Sequence, residues 1–280
     1  RIWDLQELTC LQTMLQRRGY FDYDQHQSAN DTQVEGSCAL VFSPDSCKLI
    51  TGNYQAELQI WDIATGKLDR TLLGHSKRIQ AVALCNVRHL IATACENRIR
   101  IWDLDPGECL HAIIAHDLPV VTVAFSPDGR YLASGSMDKT VKIWDTRSWE
   151  CLQTLTGHQS LTLTVAFSPT PIESESSTDY QLIVGSGDRL IKRWNIITGE
   201  CIQTYTDHQN WVWSIAYSPD GSKIVSAGED ETIKIWDVEQ SSSLYTLRLK
   251  RPYEDMNITG ITGLSLGQRQ TLKLLGAIDS

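Results

Sequence analysis

The triplet Ile-Trp-Asp recurs along this chain, at Ile2–Asp4, Ile60–Asp62, Ile101–Asp103, Ile143–Asp145 and Ile235–Asp237, and a variant, Arg193-Trp194-Asn195, fills one further slot. Successive tryptophans of the series are 58, 41, 42, 50 and 42 residues apart. A chain that copies itself at such a period folds as an array of similar small units, each leaning on its neighbours. The two long intervals contain polar insertions, Gln16–Glu35 and Thr170–Asp179, which read as loops added to a fixed unit.

The copies agree beyond the tryptophan. Val123-Ala124-Phe125-Ser126-Pro127-Asp128-Gly129 matches Ile215-Ala216-Tyr217-Ser218-Pro219-Asp220-Gly221, with shorter echoes at Val41–Asp45 and Val165–Pro169. Gly-His or a relative precedes the later copies, at Gly74-His75, Ala115-His116, Gly157-His158 and Asp207-His208. One unit parses into four short strands. Val120–Phe125 is apolar and β-branched, as a strand buried on both faces should be. Ser126–Gly129 is turn chemistry, because Pro presets φ and Gly accepts positive φ. Tyr131–Gly135 is the second strand, Ser136–Lys139 turns again, Thr140–Asp145 alternates polar and apolar residues, and Cys151–Leu155 is the fourth strand.

A period of this length with four strands and a G-H…W-D signature resembles the WD-repeat β-propeller family over essentially Arg1–Leu249. The resemblance implies an all-β fold of four-stranded sheets set radially round a channel, first strand innermost and fourth outermost. It gives five complete blades over residues 37–250, with Trp61, Trp102, Trp144, Trp194 and Trp236 as their signature residues. Residues 1–15 are expected to be the last two strands of a truncated blade, 16–36 a polar insertion, and 251–280 a C-terminal tail with a short strand and helix. Rings in this family usually have seven blades, so the chain is expected to be a fragment; the alternative is a strand supplied to an incomplete blade by residues after Lys250.

Ser, His and Asp recur with the tryptophan and invite a catalytic reading. In the third blade the set is His116, Ser134, Asp138 and Trp144; in the fifth it is His208, Ser226, Asp230 and Trp236. The resemblance implies a structural role, and the physics agrees. Buried polar groups need partners, and Trp, Ser, His and Asp can pass hydrogen bonds along one chain inside each blade. An enzyme needs one nucleophile at one site, not a copy per repeat. The fourth blade keeps His158, Asp188 and Trp194 but has Val184 in place of Ser. The second has His75, Thr93 and Trp102 without an Asp, and the first has Thr51 and Trp61 without a His, with Gln55 where Asp would stand. These three blades are expected to be less rigid than the third and fifth.

Composition narrows the function classes. Lys plus Arg number 25 against 34 Asp plus Glu, a formal charge of −9, which opposes bulk nucleic-acid binding. No run of apolar residues reaches the length of a membrane span. Eight cysteines without a C-x-x-C pair, four of them seven residues after a repeat tryptophan, fit copied positions and free thiols in a reducing compartment, so a cytoplasmic location is expected. No phosphate loop, nucleophile elbow or H-E-x-x-H motif is present, and neither a metal nor a cofactor is expected.

The expected function is a non-catalytic platform for a protein or peptide partner. The residue three after each His should lie near the channel mouth, where family members commonly dock partners: Arg78, Pro119, Leu161 and Trp211. Met137, Gly187 and Glu229, just before each turn Asp, and Lys77 complete this surface. Trp211 is the foremost candidate, with packing on Trp213 or the next blade as its alternative. A small-ligand or enzymatic use of the central channel is the competing function, and it requires singular polar groups that converge from different blades. In the tail, Ser265 and Gln268 form a capping box pattern, Leu274, Leu275 and Ile278 share a face, and Gly276 can end the helix. The tail also resembles those of large bacterial WD-repeat proteins, in which an upstream nucleotide-binding domain of the STAND/NB-ARC type is common. That resemblance implies the sensor part of a larger signalling protein.

Overall fold

Alternation of side chains every second residue gives each short strand two faces, and here both faces of most strands are apolar, so each sheet must be covered on two sides. The computed structural model describes residues 2–4, 9–12, 37–173, 178–248, 257–259, 265–274 and 278. The chain opens with a two-stranded ladder, β1 (Ile2–Asp4) and β2 (Thr9–Gln12). Five four-stranded antiparallel sheets follow. Sheet I is β3 (Ser37–Phe42), β4 (Lys48–Asn53), β5 (Leu58–Asp62) and β6 (Leu68–Leu72). Sheet II is β7 (Ala81–Cys85), β8 (Leu90–Cys95), β9 (Arg98–Asp103) and β10 (Cys109–Ile114). Sheet III is β11 (Val120–Phe125), β12 (Tyr131–Ser136), β13 (Val141–Asp145) and β14 (Cys151–Leu155).

Sheet IV begins with β15 (Thr162–Phe167). The insertion after it, read from the sequence as a loop, pairs β16 (Ile172–Glu173) with β17 (Thr178–Asp179) before the sheet resumes with β18 (Gln181–Ser186), β19 (Ile191–Asn195) and β20 (Cys201–Tyr205). Sheet V is β21 (Val212–Tyr217), β22 (Lys223–Gly228), β23 (Thr232–Asp237) and β24 (Ser243–Arg248). One helix, α1 (Leu266–Leu274), lies in the tail, and Asn257 bridges to Ile278. Its capping box is formed: the Ser265 N–H donates to Gln268 Oε1 at 2.9 Å and the Gln268 N–H to Ser265 Oγ at 3.2 Å. The expected 16–36 insertion, the side chains of Leu274 and Leu275, and Gly276 lie outside the described residues.

First strands of successive sheets lie side by side, β3 by β7, β7 by β11, β11 by β15 and β15 by β21, so the sheets form an arc around their inner strands. Four apolar cores fill the four spaces between sheets. Between III and IV, Ala133, Val141, Ile143 and Leu155 meet Val165, Leu182, Val184 and Trp194. The same residue positions recur in the other three cores, each holding the signature tryptophan of the later sheet. Burial of each such aliphatic side chain contributes about 1.5–3 kcal/mol. Close approach requires small residues beneath the entering strand. A Cβ on Gly52 would stand 2.5 Å from Ile79 Cγ2, and one on Gly135 2.8 Å from Thr162 Oγ1. Ile79 and Thr162 are each the fourth residue after a His. At the flanks of the arc the same positions are exposed: Leu40 in sheet I is 60% exposed, while its counterparts Val123, Val165 and Ile215 are buried.

Candidate functional site

Each signature tryptophan buries an indole N–H, which can only donate, so an acceptor must be buried with it. In sheet III the Trp144 Nε1–H donates to Ser134 Oγ at 2.9 Å, and Ser134 lies 2.8 Å from His116 Nε2. His116 Nδ1 lies 2.9 Å from Asp138 Oδ2. The Asp138 carboxylate can only accept, so the neutral imidazole carries its proton on Nδ1, and its Nε2 accepts from the Ser134 hydroxyl. Sheet V repeats the chain: Trp236 to Ser226 at 2.8 Å, Ser226 to His208 at 2.7 Å, and His208 to Asp230 at 2.9 Å. The distances are those of a hydrolase triad, yet both serines are sealed inside their sheets. No substrate carbonyl can reach either oxygen.

The other sheets show what the chain needs. In sheet II, Thr93 takes the place of Ser, accepting from Trp102 at 2.8 Å and meeting His75 Nε2 at 2.7 Å. Sheet I keeps only the first link, Trp61 to Thr51 at 3.1 Å. In sheet IV the aliphatic Val184 breaks the chain. His158 still meets Asp188 at 2.9 Å, but His158 Nε2 and Trp194 Nε1 are both buried without a partner.

Protonation follows from burial. Desolvation, helped by the Arg100 guanidinium, pushes His75 down to about 4. His116 and His208 are also lowered by burial, against the opposing pull of Asp138 and Asp230. Burial raises Asp188 and Asp230, but hydrogen bonds to each outweigh it and hold both at about 2. The donors are His158 with the Gln159 and Leu190 N–H groups for Asp188, and Thr232, the Gln209 N–H and His208 for Asp230.

These carboxylates also hold the loop that follows each His. Asp188 accepts from the Gln159 N–H at 2.8 Å, and Asp230 from the Gln209 N–H at 2.9 Å. The loops so fixed carry their next residues to the inner ends of the sheets, where they line a cavity. The cavity found there measures about 440 Å³ and is lined by Arg78, Gln80, Val121, Met137, Leu161, Leu163, Trp211 and Trp213. Sheets II to V all contribute. Of the expected residues, Arg78, Met137, Leu161 and Trp211 are brought together here. Pro119 instead accepts a hydrogen bond from the Met137 N–H at 3.0 Å. Lys77 pairs with Glu96 at 3.3 Å, and Glu229 accepts from the Trp213 indole. The Trp211 ring lies 5.5 Å from that of Trp213, the packing named as its alternative, and also lines the cavity.

Gln80, Val121, Leu163 and Trp213 were missed. Each is the fifth residue after a His, and strand alternation puts it on the side of the third while the fourth turns between sheets. That period was available in the sequence.

A family model described as "WD domain, G-beta repeat" matches residues 66–103, 107–145, 149–195 and 199–237, more than half of the chain. The chain belongs to the WD-repeat family. Each match runs from the fourth strand of one sheet through the third strand of the next, so the repeat in sequence is offset from the sheet in space. Among curated proteins the chain is similar to mouse pre-mRNA-processing factor 19, 28% identical over 40% of this chain and 22% of that protein. Human WD repeat and SOCS box-containing protein 1 is 32% identical over 33% of this chain and 23% of its own length. Autophagy-related protein 16 of Arabidopsis thaliana is 29% identical over 33% of this chain and 18% of its own length. These similarities span about a fifth of each relative.

Two outcomes are expected. Val184→Thr, nearly isosteric, supplies the missing hydroxyl to two buried orphan groups and raises stability to urea by about 1–2 kcal/mol; a loss of stability would show that those groups need no partner. Stability should also fall as pH drops. His75, His116 and His208, protonated more readily when unfolded, cost stability as pH falls below 6.5, down to about 4, the folded value of His75. Asp188 and Asp230 extend the loss from pH 3.8 to about 2. Urea midpoints that stay flat between pH 7 and pH 4 would contradict this.

Proposed function

We propose that the chain is a non-catalytic docking platform whose channel mouth receives an apolar anchor from a protein or peptide partner. The observation that carries the reading is convergence: four sheets send the residues after their histidines to one cavity of tryptophan, methionine and leucine walls with Arg78 at one side. Clustered Trp and Arg beside aliphatic residues is the composition of interaction hot spots. The relatives support the same reading, since their names belong to pre-mRNA processing, SOCS-box and autophagy proteins and not to enzymes.

In the finer reading the platform is the sensor part of a larger signalling protein and works in the cytoplasm. The six described cysteines are all free thiols, which fits a reducing compartment. No described helix is long and apolar enough to cross a membrane. The net charge of −9 favours a protein or peptide over bulk nucleic acid as the partner.

The test is a peptide library displayed on phage and selected against the purified chain. Selected peptides should share a large apolar residue, and Trp211→Ala or Arg78→Ala should weaken them about tenfold or more. Both side chains are at the surface, so the urea midpoint should barely move. Binding that survives both substitutions would remove the mouth from consideration.

A further inference from the structure

The cavity shared by sheets II to V is divided by chemistry, and the division follows the sheets. Sheet II contributes Arg78 and Gln80, the third and fifth residues after His75, which strand alternation puts on one side. Sheets III to V contribute Val121, Met137, Leu161, Leu163, Trp211 and Trp213. Arg78 is the only charged side chain among the described walls, and no carboxylate lines them. The positions equivalent to Arg78 hold Pro119, Leu161 and Trp211, so the guanidinium belongs to one blade and not to the repeat.

The backbone beneath this polar wall is anchored. Ile79, between the two residues, is fully buried in the core of sheets I and II, and its N–H donates to the Asn53 carbonyl at 3.1 Å. The Gln80 N–H donates to the Ala94 carbonyl at 2.8 Å. The exposed Arg78 side chain lies over the Tyr54 ring, with Cζ 5.8 Å from its centroid, within the range of a cation–π contact. Such placement lowers the cost of ordering the side chain against a ligand. A planar guanidinium matches a planar carboxylate through two parallel N–H donors, and the Gln80 amide offers a further donor on the same wall.

An occupant that fits this cavity is divided in the same way. It is apolar where it meets Met137, Leu161 and the two tryptophans, and anionic where it meets Arg78. Its negative charge is also bounded. The chain carries a net charge of −9, so every further acidic group enters a repulsive field. Phosphate groups on peptides are recognised by clusters of arginines, and this wall has one. A carboxylate close to a large apolar side chain meets both conditions, and a Lys or Arg in its place would meet Arg78 with like charge.

We infer that the cavity selects an acidic partner segment, in which an Asp or Glu within two residues of the large apolar anchor pairs with Arg78. The inference rests on the docking role proposed above, and the experiment separates the two. The probes are the peptides that the full 280-residue chain enriches from the phage library, sequenced in bulk, and the most enriched of them synthesised with acetyl and amide ends. Asp or Glu should be enriched beside the anchor, and Lys and Arg depleted. Replacing the acid by its amide should weaken the synthetic peptide about fivefold in fluorescence-anisotropy titrations. Arg78→Glu should reverse the preference, so that a Lys version of the peptide binds more tightly than the acidic one. If that variant does not fold, Arg78→Gln should abolish the preference. An apolar anchor enriched without an acid overturns the inference and leaves the docking role standing, as does an acidic preference that persists in a folded Arg78 variant. Selection that enriches no apolar anchor removes both.

Discussion

An indole N–H sealed between two sheets must find an acceptor, and much of the molecule's arrangement follows from how it does so. Trp144 and Trp236 hand their hydrogen bonds to a serine on the second strand, the serine to a histidine outside the sheet, and the histidine to an aspartate in a turn. The chain thus ties the third strand, the second strand, the incoming loop and the turn to one another. Apolar burial supplies most of the free energy between sheets but has little direction. The hydrogen bonds supply direction, and with it the course of the loop that ends at the cavity shared by sheets II to V.

Much of this was legible in the sequence because the constraint is copied. The strands read for the third blade agree with the structure to within a residue at most ends. Thr140 falls outside β13 because its N–H and hydroxyl are taken by Asp138 at 3.0 and 2.6 Å. Residues three after each His were legible by analogy between copies. Trp213 and Leu163 follow from the same copies by strand alternation, two residues beyond Trp211 and Leu161 and inside β21 and β15. The pairing of β16 with β17 had no signal, because two-residue strands carry no periodicity and Thr170–Asp179 has the composition of a loop. The gathering of Arg193, Tyr205, Tyr217 and Gln181 between sheets IV and V was hidden for a different reason. Four strands of two blades, β18 to β21, supply it, and only the triplet variant Arg193-Trp194-Asn195 marked the place.

Sheet IV breaks the repeated rule on both of its faces. Toward sheet III, Val184 withdraws the hydroxyl that its tryptophan and histidine need. Toward sheet V, Arg193 brings in a charge where the other blades bury isoleucine. Departures from a locally consistent pattern concentrate where a fold serves something besides its own stability. Sheets II to V, sheet IV included, still bring the residues after their histidines to one cavity, as the proposed docking role requires.

The claim that hydrogen bonding, and not burial alone, secures each blade can be tested at the indoles themselves. Native-state hydrogen exchange of the Trp144, Trp194 and Trp236 Nε1–H groups compares two complete chains with a broken one in equally buried surroundings. The account predicts strong protection of Trp144 and Trp236 and markedly faster exchange at Trp194. Protection of Trp194 equal to that of the other two would contradict it.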